Sequence, residues 1–371
     1  METAAWARAE FANDDILSRD SASMFSRDGW KACARHGLLS SSIPSEHGGL
    51  GDNLVTTLLK FEGLGLGCRD NGLAFAVASQ ALSFQEALLA FGSAEQLDAL
   101  IPGICSGDII GAFAITEPNS GSDTYSLECT ATETEGGYEL NGHKAHLTLA
   151  PVADVAIIFA NTRPEAGRWG ISAFLVYPDR DGVTFTTNHE KMGLRTTPFG
   201  DIVLDGYIAA ESDRLGPIGA GVSIFATSMK TERGFIFATQ LGAAERIIAE
   251  AVERAKTRHQ FEQPIAAFQA VSHRLVDMQV QLDSARLHMY RTAALVEAGG
   301  HATRESAMAK LVASEAVADI ALSAARVHGA RGYVTEFEIE REVRDALGGL
   351  VYSGTSDIQR NVIARMMELP S

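Results

Sequence analysis

The chain has 371 residues, 46% of them hydrophobic and 21% charged, and 31 Lys and Arg against 47 Asp and Glu give a formal charge of −16. That balance excludes a general binder of the nucleic-acid backbone, and the apolar content excludes a disordered chain. The length calls for two or three domains.

Net charge leaves an anionic small ligand open, because a helix N-terminus or a few arginines hold phosphate locally. The four cysteines, Cys33, Cys68, Cys105 and Cys129, form no C-x-x-C pair. They suggest neither a disulfide framework nor a zinc cluster, which fits a reducing cytoplasm. The opening METAAWARAEFANDD carries acidic residues and no apolar core, so no targeting segment is expected. The longest apolar stretches are read as broken by charge or Gly before the roughly 18 residues that a bilayer span needs. No membrane partner and a cytoplasmic location are expected.

Residues 1–110 have a helical texture. Leu54, Leu58 and Phe61 recur at helix spacing, and Ala74 to Phe91 is rich in Ala, Leu and Phe. The Gly and Pro of Ile43 to Gly51 break the pattern, and FGSAEQ, Phe91 to Gln96, predicts a helix stop with an N-cap at Ser93. Over residues 111–217 the texture becomes β-rich, with runs such as VADVAIIFA and GISAFLVYP separated by Asn-Gly and Asp-Gly turn signals. Residues 218–371 return to a period near 3.6 through Gly234 to Arg258, Gln269 to Gly299 and Glu305 to Val327, predicting three long helices and a shorter final one. No repeat or low-complexity linker separates these parts, so they are expected to pack as one unit.

The segment GAFAITEPNSGSD, Gly111 to Asp123, runs from an apolar strand into a loop rich in small donors. Amides near Gly121 and the hydroxyls of Thr116 and Ser122 suit a flavin edge or a diphosphate. A plain Ser/Gly turn between strands is the alternative. Further segments follow in order: NGHKAHLT (Asn141 to Thr148), KMGLRTT (Lys191 to Thr197), TERGFIFATQLGAAE (Thr231 to Glu245), TRHQFEQPIAAFQAV (Thr257 to Val271), HGARGY (His328 to Tyr333), REVRDA (Arg341 to Ala346) and YSGTSDIQR (Tyr352 to Arg360). With AITEPNSGSD they resemble the acyl-CoA dehydrogenase family over nearly the whole chain.

The resemblance implies an α+β multidomain fold: an N-terminal helical domain, a central β-barrel-like domain and a C-terminal four-helix bundle. It also implies FAD as cofactor and a homotetramer built as a dimer of dimers. By the same resemblance Thr116, Ser122, His146, Thr148, Thr355 and Ser356 lie near the flavin. Arg258, Phe261, Gln269, Gly329 and Gly332 match residues that reach the neighbouring subunit's FAD. Ser122, Arg233, Ser353 and Gly354 are assigned to the acyl-thioester substrate, carried by CoA or by an acyl carrier protein. Arg233 pairing with Glu232 or another bundle neighbour is the alternative.

Removing hydrogens from Cα and Cβ of an acyl thioester requires a base for the α-proton and an acceptor for the β-hydride on opposite faces. The base belongs in a solvent-excluded site, where burial raises a carboxyl pKa. The commonest family pattern places this Glu directly before Gly-Thr in the late loop, where this chain has Ser353. Some members, including isovaleryl-CoA and long-chain acyl-CoA dehydrogenases, carry it on the first long helix of the C-terminal domain before an Arg, and Glu232-Arg233 matches. A solvated Glu in an N-terminal helix turn is the competing reading of Glu232.

Other departures are His146 where a Trp is usual, Arg326 for a Gln, Ala330 for a Gly, and Glu262 for the Gly after Phe261. His273, Asp277 and His288 fall at helical intervals but are read as a polar face, so no metal site is assigned. Arg341, Arg344 and Asp345 are read as an ion-pair lattice. The expected activity is FAD-dependent α,β-dehydrogenation of an acyl thioester, with an electron-transferring flavoprotein or oxygen as acceptor. The alternatives are a flavin monooxygenase or oxidase on the same fold, or an inactive acyl-binding scaffold.

Overall fold

The structure, a computed structural model, describes residues 2–369. The first part is helical: α1 (Glu2–Glu10), α2 (Ile16–Ser21), α3 (Arg27–Arg35), α4 (Leu54–Gly67), α5 (Asn71–Ser79), α6 (Gln85–Phe91) and α7 (Ala94–Ser106). Short polar side chains start most of them, because they satisfy amides that the helix leaves unpaired. Asp15, Ser26, Asn53 and Asp70 each accept from a backbone N–H of their helix, and Ser93 forms a full capping box with Gln96. The predicted N-cap at Ser93 is therefore present.

A π-helical turn, Gln80–Phe84, joins α5 to α6 without a break. The resulting helix, Asn71–Phe91, is long and apolar enough to cross a membrane, and 78% of its most apolar window is buried inside the protein. The sequence reading had no apolar stretch of this length. Gly72 is its one glycine and Glu86 its one charged residue, and its apolarity reflects its place at the centre of the core.

The middle part is an eight-stranded sheet of β1 (Gly111–Ala114), β2 (Thr130–Thr134), β3 (Gly137–Thr148), β4 (Val155–Asn161), β5 (Ile171–Val176), β6 (Val183–Phe185), β7 (Phe199–Ala210) and β8 (Arg214–Leu215). Its order is β6-β7-β3-β2-β4-β5-β8, with β1 parallel to β4. Strand alternation divides β4 between two cores. Ala156, Ile158 and Ala160 join a cluster made only of sheet and adjoining loop residues, whereas Val155, Ile157 and Phe159 pack with Phe84, Leu88 and Leu100 of the helical part.

The Asn-Gly signal at Asn141-Gly142 is not a turn: it lies inside β3, where the pairing with β7 slips between Leu140 and Gly142. Gly142 has φ 150° there and Cys129 lies against it, so the pair marks a bulge. A second slip, between Lys144 and Leu147, carries His146 at φ 61°.

The last part comprises α8 (Gly221–Phe235), α9 (Ala238–Thr257), a two-residue hairpin of β9 (His259–Gln260) and β10 (Gln263–Pro264), then α10 (Gln269–Glu297), α11 (Thr303–His328), α12 (Ile339–Gly348) and α13 (Ser356–Met366). The sequence pattern began the first of these helices at Gly234. The chain instead bends at Ile236-Phe237, between α8 and α9.

The three parts form one body. Gly65 of α4 and Gly242 of α9 let those two helices touch backbone to backbone, since a Cβ on either would fall under 2.0 Å from a carbonyl oxygen of the other helix. The predicted ion-pair lattice is also present and reaches every part. Asn71 Nδ2 donates to Glu342 and Asp345, Leu194 N donates to Asp345 at 2.6 Å, and Arg246 pairs with Glu342 at 2.9 Å. Arg341, 1% exposed, bridges Glu342, Asp345 and the Arg69 carbonyl. Arg344 ties α12 to Asp20 and to the Met192 carbonyl.

Candidate active site

A cavity of about 510 Å³ opens where the three parts meet. Thr116, Ser122, His146, Thr148, Glu232, Arg233, Ser353, Gly354 and Thr355 all line it. The sequence placed these residues up to 239 positions apart, and the fold collects them.

The loop after β1 is fastened from behind by a buried ion pair. Lys144 Nζ, wholly inaccessible, donates to Glu117 at 2.6 Å, and the same carboxylate accepts from the amides of Glu128 and Cys129. This holds Thr116 and the Gly121-Ser122 turn against the sheet end. The hydroxyls of Thr116, Ser122 and Thr148 make no hydrogen bond among the described residues and face the cavity. Ser356 Oγ is buried without a hydrogen-bond partner among the described residues. His146 and Phe199 stand near-parallel, with centroids 6.0 Å apart, as one wall. Free hydroxyls beside an aromatic wall fit the polar edge and flat face of an isoalloxazine ring.

Glu232 sits in the last turn of α8. The competing reading of a solvated residue in an N-terminal turn therefore does not hold: the helix dipole at that end disfavours a negative charge, and the side chain is partly buried at the cavity. Ser353 Oγ donates to Glu232 Oε1 at 2.5 Å. Burial pushes the carboxyl pKa up, against the opposing pull of the Ser353 hydrogen bond and the Arg233 charge.

Arg233 makes no ion pair or side-chain hydrogen bond among the described residues, and its Nε is buried without a partner. The suggested pairing with Glu232 is absent. Burial lowers the Arg233 pKa. The nearby Glu232 charge offsets part of that burial, but a half-buried guanidinium with no hydrogen-bonded partner is still costly, and one that faces a cavity is ready for a carbonyl or anionic ligand.

The late loop is fixed by its own bonds. Ser353 and Gly354 take φ 53° and 83°, and Gln359 Nε2 donates to both of their carbonyls at 3.2 and 2.9 Å. Thr355 caps α13 by accepting from Ile358 N. Tyr352 lies between the rings of Phe75 and Phe237, at 4.6 and 5.4 Å. Buried Lys310 donates to the Gly349 carbonyl at the end of α12.

Sequence reasoning missed the cavity's far side. Phe75, Ser79, Ser83 and Tyr352 line it, and only the structure reveals the π turn in which Ser83 Oγ bonds to Ser79 O at 2.5 Å. A helix that re-registers by one residue leaves no mark on apolar periodicity.

Arg258, Phe261, Gln269, Gly329 and Ser356 do not line the cavity. The first four are exposed at one end of the bundle, Phe261 by 87%. Glu262, in place of a Gly, adopts φ 63° in the β9-β10 turn. Gly332 is buried, whereas Arg326 and Ala330 are exposed. His273 and Asp277 are exposed and, with His288, make no ligand cluster among the described residues.

Comparison with known proteins accounts for this geometry. The N-terminal, middle and C-terminal domains of acyl-CoA dehydrogenase match residues 2–108, 112–207 and 219–368. The chain belongs to the acyl-CoA dehydrogenase family. It is a flavoprotein oxidoreductase that uses FAD and acts on the CH–CH bond of acyl thioesters.

Among its relatives is the L-prolyl-[peptidyl-carrier protein] dehydrogenase of Pseudomonas fluorescens, 39% identical over 92% of this chain and 90% of that protein. An acyl-CoA dehydrogenase of Bacillus subtilis is 37% identical over 91% of this chain and 88% of that one. The crystal structure of the prolyl acyl carrier protein oxidase AnaB superposes with a TM-score of 0.97 at 38% identity, covering 99% of this chain and 97% of that one.

Proposed function

We propose that this acyl-CoA dehydrogenase family member desaturates a small acyl group, L-prolyl or one of similar size, held as a thioester on the phosphopantetheine arm of a carrier protein. The observation that carries the reaction is the partly buried Glu232 carboxylate, bonded to Ser353 and facing a cavity edged by free hydroxyls. The carrier-protein substrate draws on the prolyl-carrier dehydrogenases of Pseudomonas fluorescens and a Serratia species, 39% and 36% identical to this chain. The small acyl group is supported by the Phe75 and Tyr352 rings and the π-turn serines, which take up part of the cavity wall.

Glu232 removes the α-proton, and burial, by raising its pKa, makes the carboxylate a stronger base than one in water. Arg233 donates to the polar arm of the thioester, which supplies the partner it lacks among the described residues. Thr116, Ser122, Thr148 and Thr355 hold FAD, with His146 and Phe199 as its wall, and Ser356 follows behind Thr355 in the first turn of α13. FAD supplies the two-electron acceptor for the β-hydrogen, and the electrons leave to an electron-transferring flavoprotein or to oxygen.

The enzyme works as a cytoplasmic homotetramer in which Arg258, Phe261, Gln269 and Gly329 complete a neighbour's FAD site. Exposed apolar side chains support such an assembly: Phe261 and Tyr333 are 87% and 91% exposed, and Val276, Val280 and Leu287 of α10 lie open as well.

The deciding experiment is anaerobic flavin bleaching with prolyl-loaded carrier protein, against a panel of short, branched and long acyl-CoAs. Bleaching by the loaded carrier alone is expected, and Glu232→Gln should retain FAD while losing roughly 10²–10⁴-fold in reduction rate. Bleaching by acyl-CoAs but not by the carrier refutes the carrier assignment. A wild-type rate in Glu232→Gln refutes the base.

A further inference from the structure

The second slip in β3 sets two residues, Ala145 and His146, opposite Asp201 of β7, between the pairs Lys144 with Ile202 and Leu147 with Gly200. Around that carboxylate stand three imidazoles. Asp201 Oδ1 accepts from His189 Nε2 at 2.8 Å and from the His146 amide at 2.9 Å, and Oδ2 meets His143 Nε2 at 2.9 Å. The ligating atoms of His146, His189 and Asp201 all lie within 4.8 Å of one another.

These groups are not engaged elsewhere. Among the described residues the His146 ring makes no hydrogen bond, and Asp201 is the only side-chain partner of His143 and His189. Ligands at about 2.0–2.2 Å from one ion stand roughly 3 Å apart, the spacing that Asp201 already has to His189 and His143. All three rings keep an open edge, so an ion can enter from solvent. His143, His146 and Asp201 belong to β3 and β7, and His189, in the segment between β6 and β7, is tied to the sheet by its amide, which donates to the Phe199 carbonyl at 2.8 Å.

We propose that His146, His189 and Asp201, with His143 beside them, bind a divalent late first-row metal ion in the wall of the cavity. Imidazole with a single carboxylate selects zinc, nickel or copper over magnesium or calcium, which prefer all-oxygen sets. Because His146 lines the cavity with Phe199, a bound ion fixes the ring's orientation and adds positive charge beside the flavin-binding space. The site does not depend on which acyl group the enzyme takes.

The test uses the FAD-loaded protein after treatment with a chelator, dialysed against Zn²⁺, with bound zinc and the visible flavin spectrum both recorded. One Zn²⁺ per chain is expected, together with a shift of the flavin band. His189→Ala and His146→Ala should each weaken binding by about 10–100-fold or more and abolish the band shift. Thermal melting of both variants establishes that they are folded. No binding up to the order of 100 μM free Zn²⁺ overturns the proposal, as does equal binding by wild type and both folded variants.

Discussion

Ser353 Oγ donates to Glu232 Oε1 across a 2.5 Å gap, so the residue in place of the usual late-loop glutamate holds the carboxylate that α8 supplies. Desolvation raises the Glu232 pKa, and this hydrogen bond acts against it.

The first prediction concerns Ser353→Ala. Without the hydroxyl the ionised carboxylate loses a bond that the protonated form does not need, so the pKa climbs further. A hydrogen bond to a charged group contributes about 1.5–3 kcal/mol, equivalent to one or two pKa units at about 1.36 kcal/mol each. The active base is the ionised form. The acid limb of kcat/KM against pH should therefore move up by about one unit, with little change on the alkaline side. An unmoved limb would show that Ser353 does not tune the base.

Arg233 leads to an opposite pair of effects. Its guanidinium has no hydrogen-bonded partner among the described residues and its Nε is buried, so Arg233→Met removes a desolvation cost that the attraction of Glu232 offsets only in part, and fills similar space. The melting temperature should rise while thioester affinity falls, by roughly tenfold to a hundredfold for one charge-assisted contact. Binding measured by flavin spectral titration, alongside a melt, separates the two. A drop in both would mean that Arg233 is a structural residue.

Composition and periodicity made the helix, sheet, helix succession legible, and Ser93 or the lattice at Arg341 could be read directly. Glu232-Arg233 was visible as a pair, but the turn that carries it was not. The bend at Ile236-Phe237 has near-helical backbone angles, so the apolar pattern runs through it. Asn141-Gly142 gave a turn signal and built a bulge, because cross-strand pairing with β7 outweighs a two-residue preference. Phe75, Ser79 and Ser83 stayed hidden inside an apolar helix, and the Asp201 cluster depends on a register slip that no local pattern encodes.

The Glu342 carboxylate joins Arg246 and Arg341, all three buried, to Asn71 of the first helical part. Removing Arg246 takes away the shortest ion pair of the buried Glu342 and leaves it the longer Arg341 contact at 3.4 Å and the Asn71 amide. Arg246→Met should cost roughly 3–5 kcal/mol, the range for a broken buried ion pair, read as a lower denaturant midpoint. A loss under 1 kcal/mol would mean that water or rearrangement compensates.

The same lattice makes stability depend on pH with two opposite signs. Glu342 is held down to about 2 by Arg246 and Arg341 despite its burial. Its contribution is complete above the ordinary carboxyl range and is lost as pH falls through about 2. Asp345, pushed up to about 6 by burial against the pull of Arg341, acts the other way. Between its ordinary 3.8 and about 6 the folded state binds the extra proton, so raising pH through that window costs stability. Urea midpoints measured from pH 4 to 7 should show this falling component in the wild type. In Asp345→Asn the component should vanish, even though the amide lowers overall stability by setting N–H groups against the donors of Arg341 and Asn71. A variant that keeps the wild-type slope would assign the proton to another group.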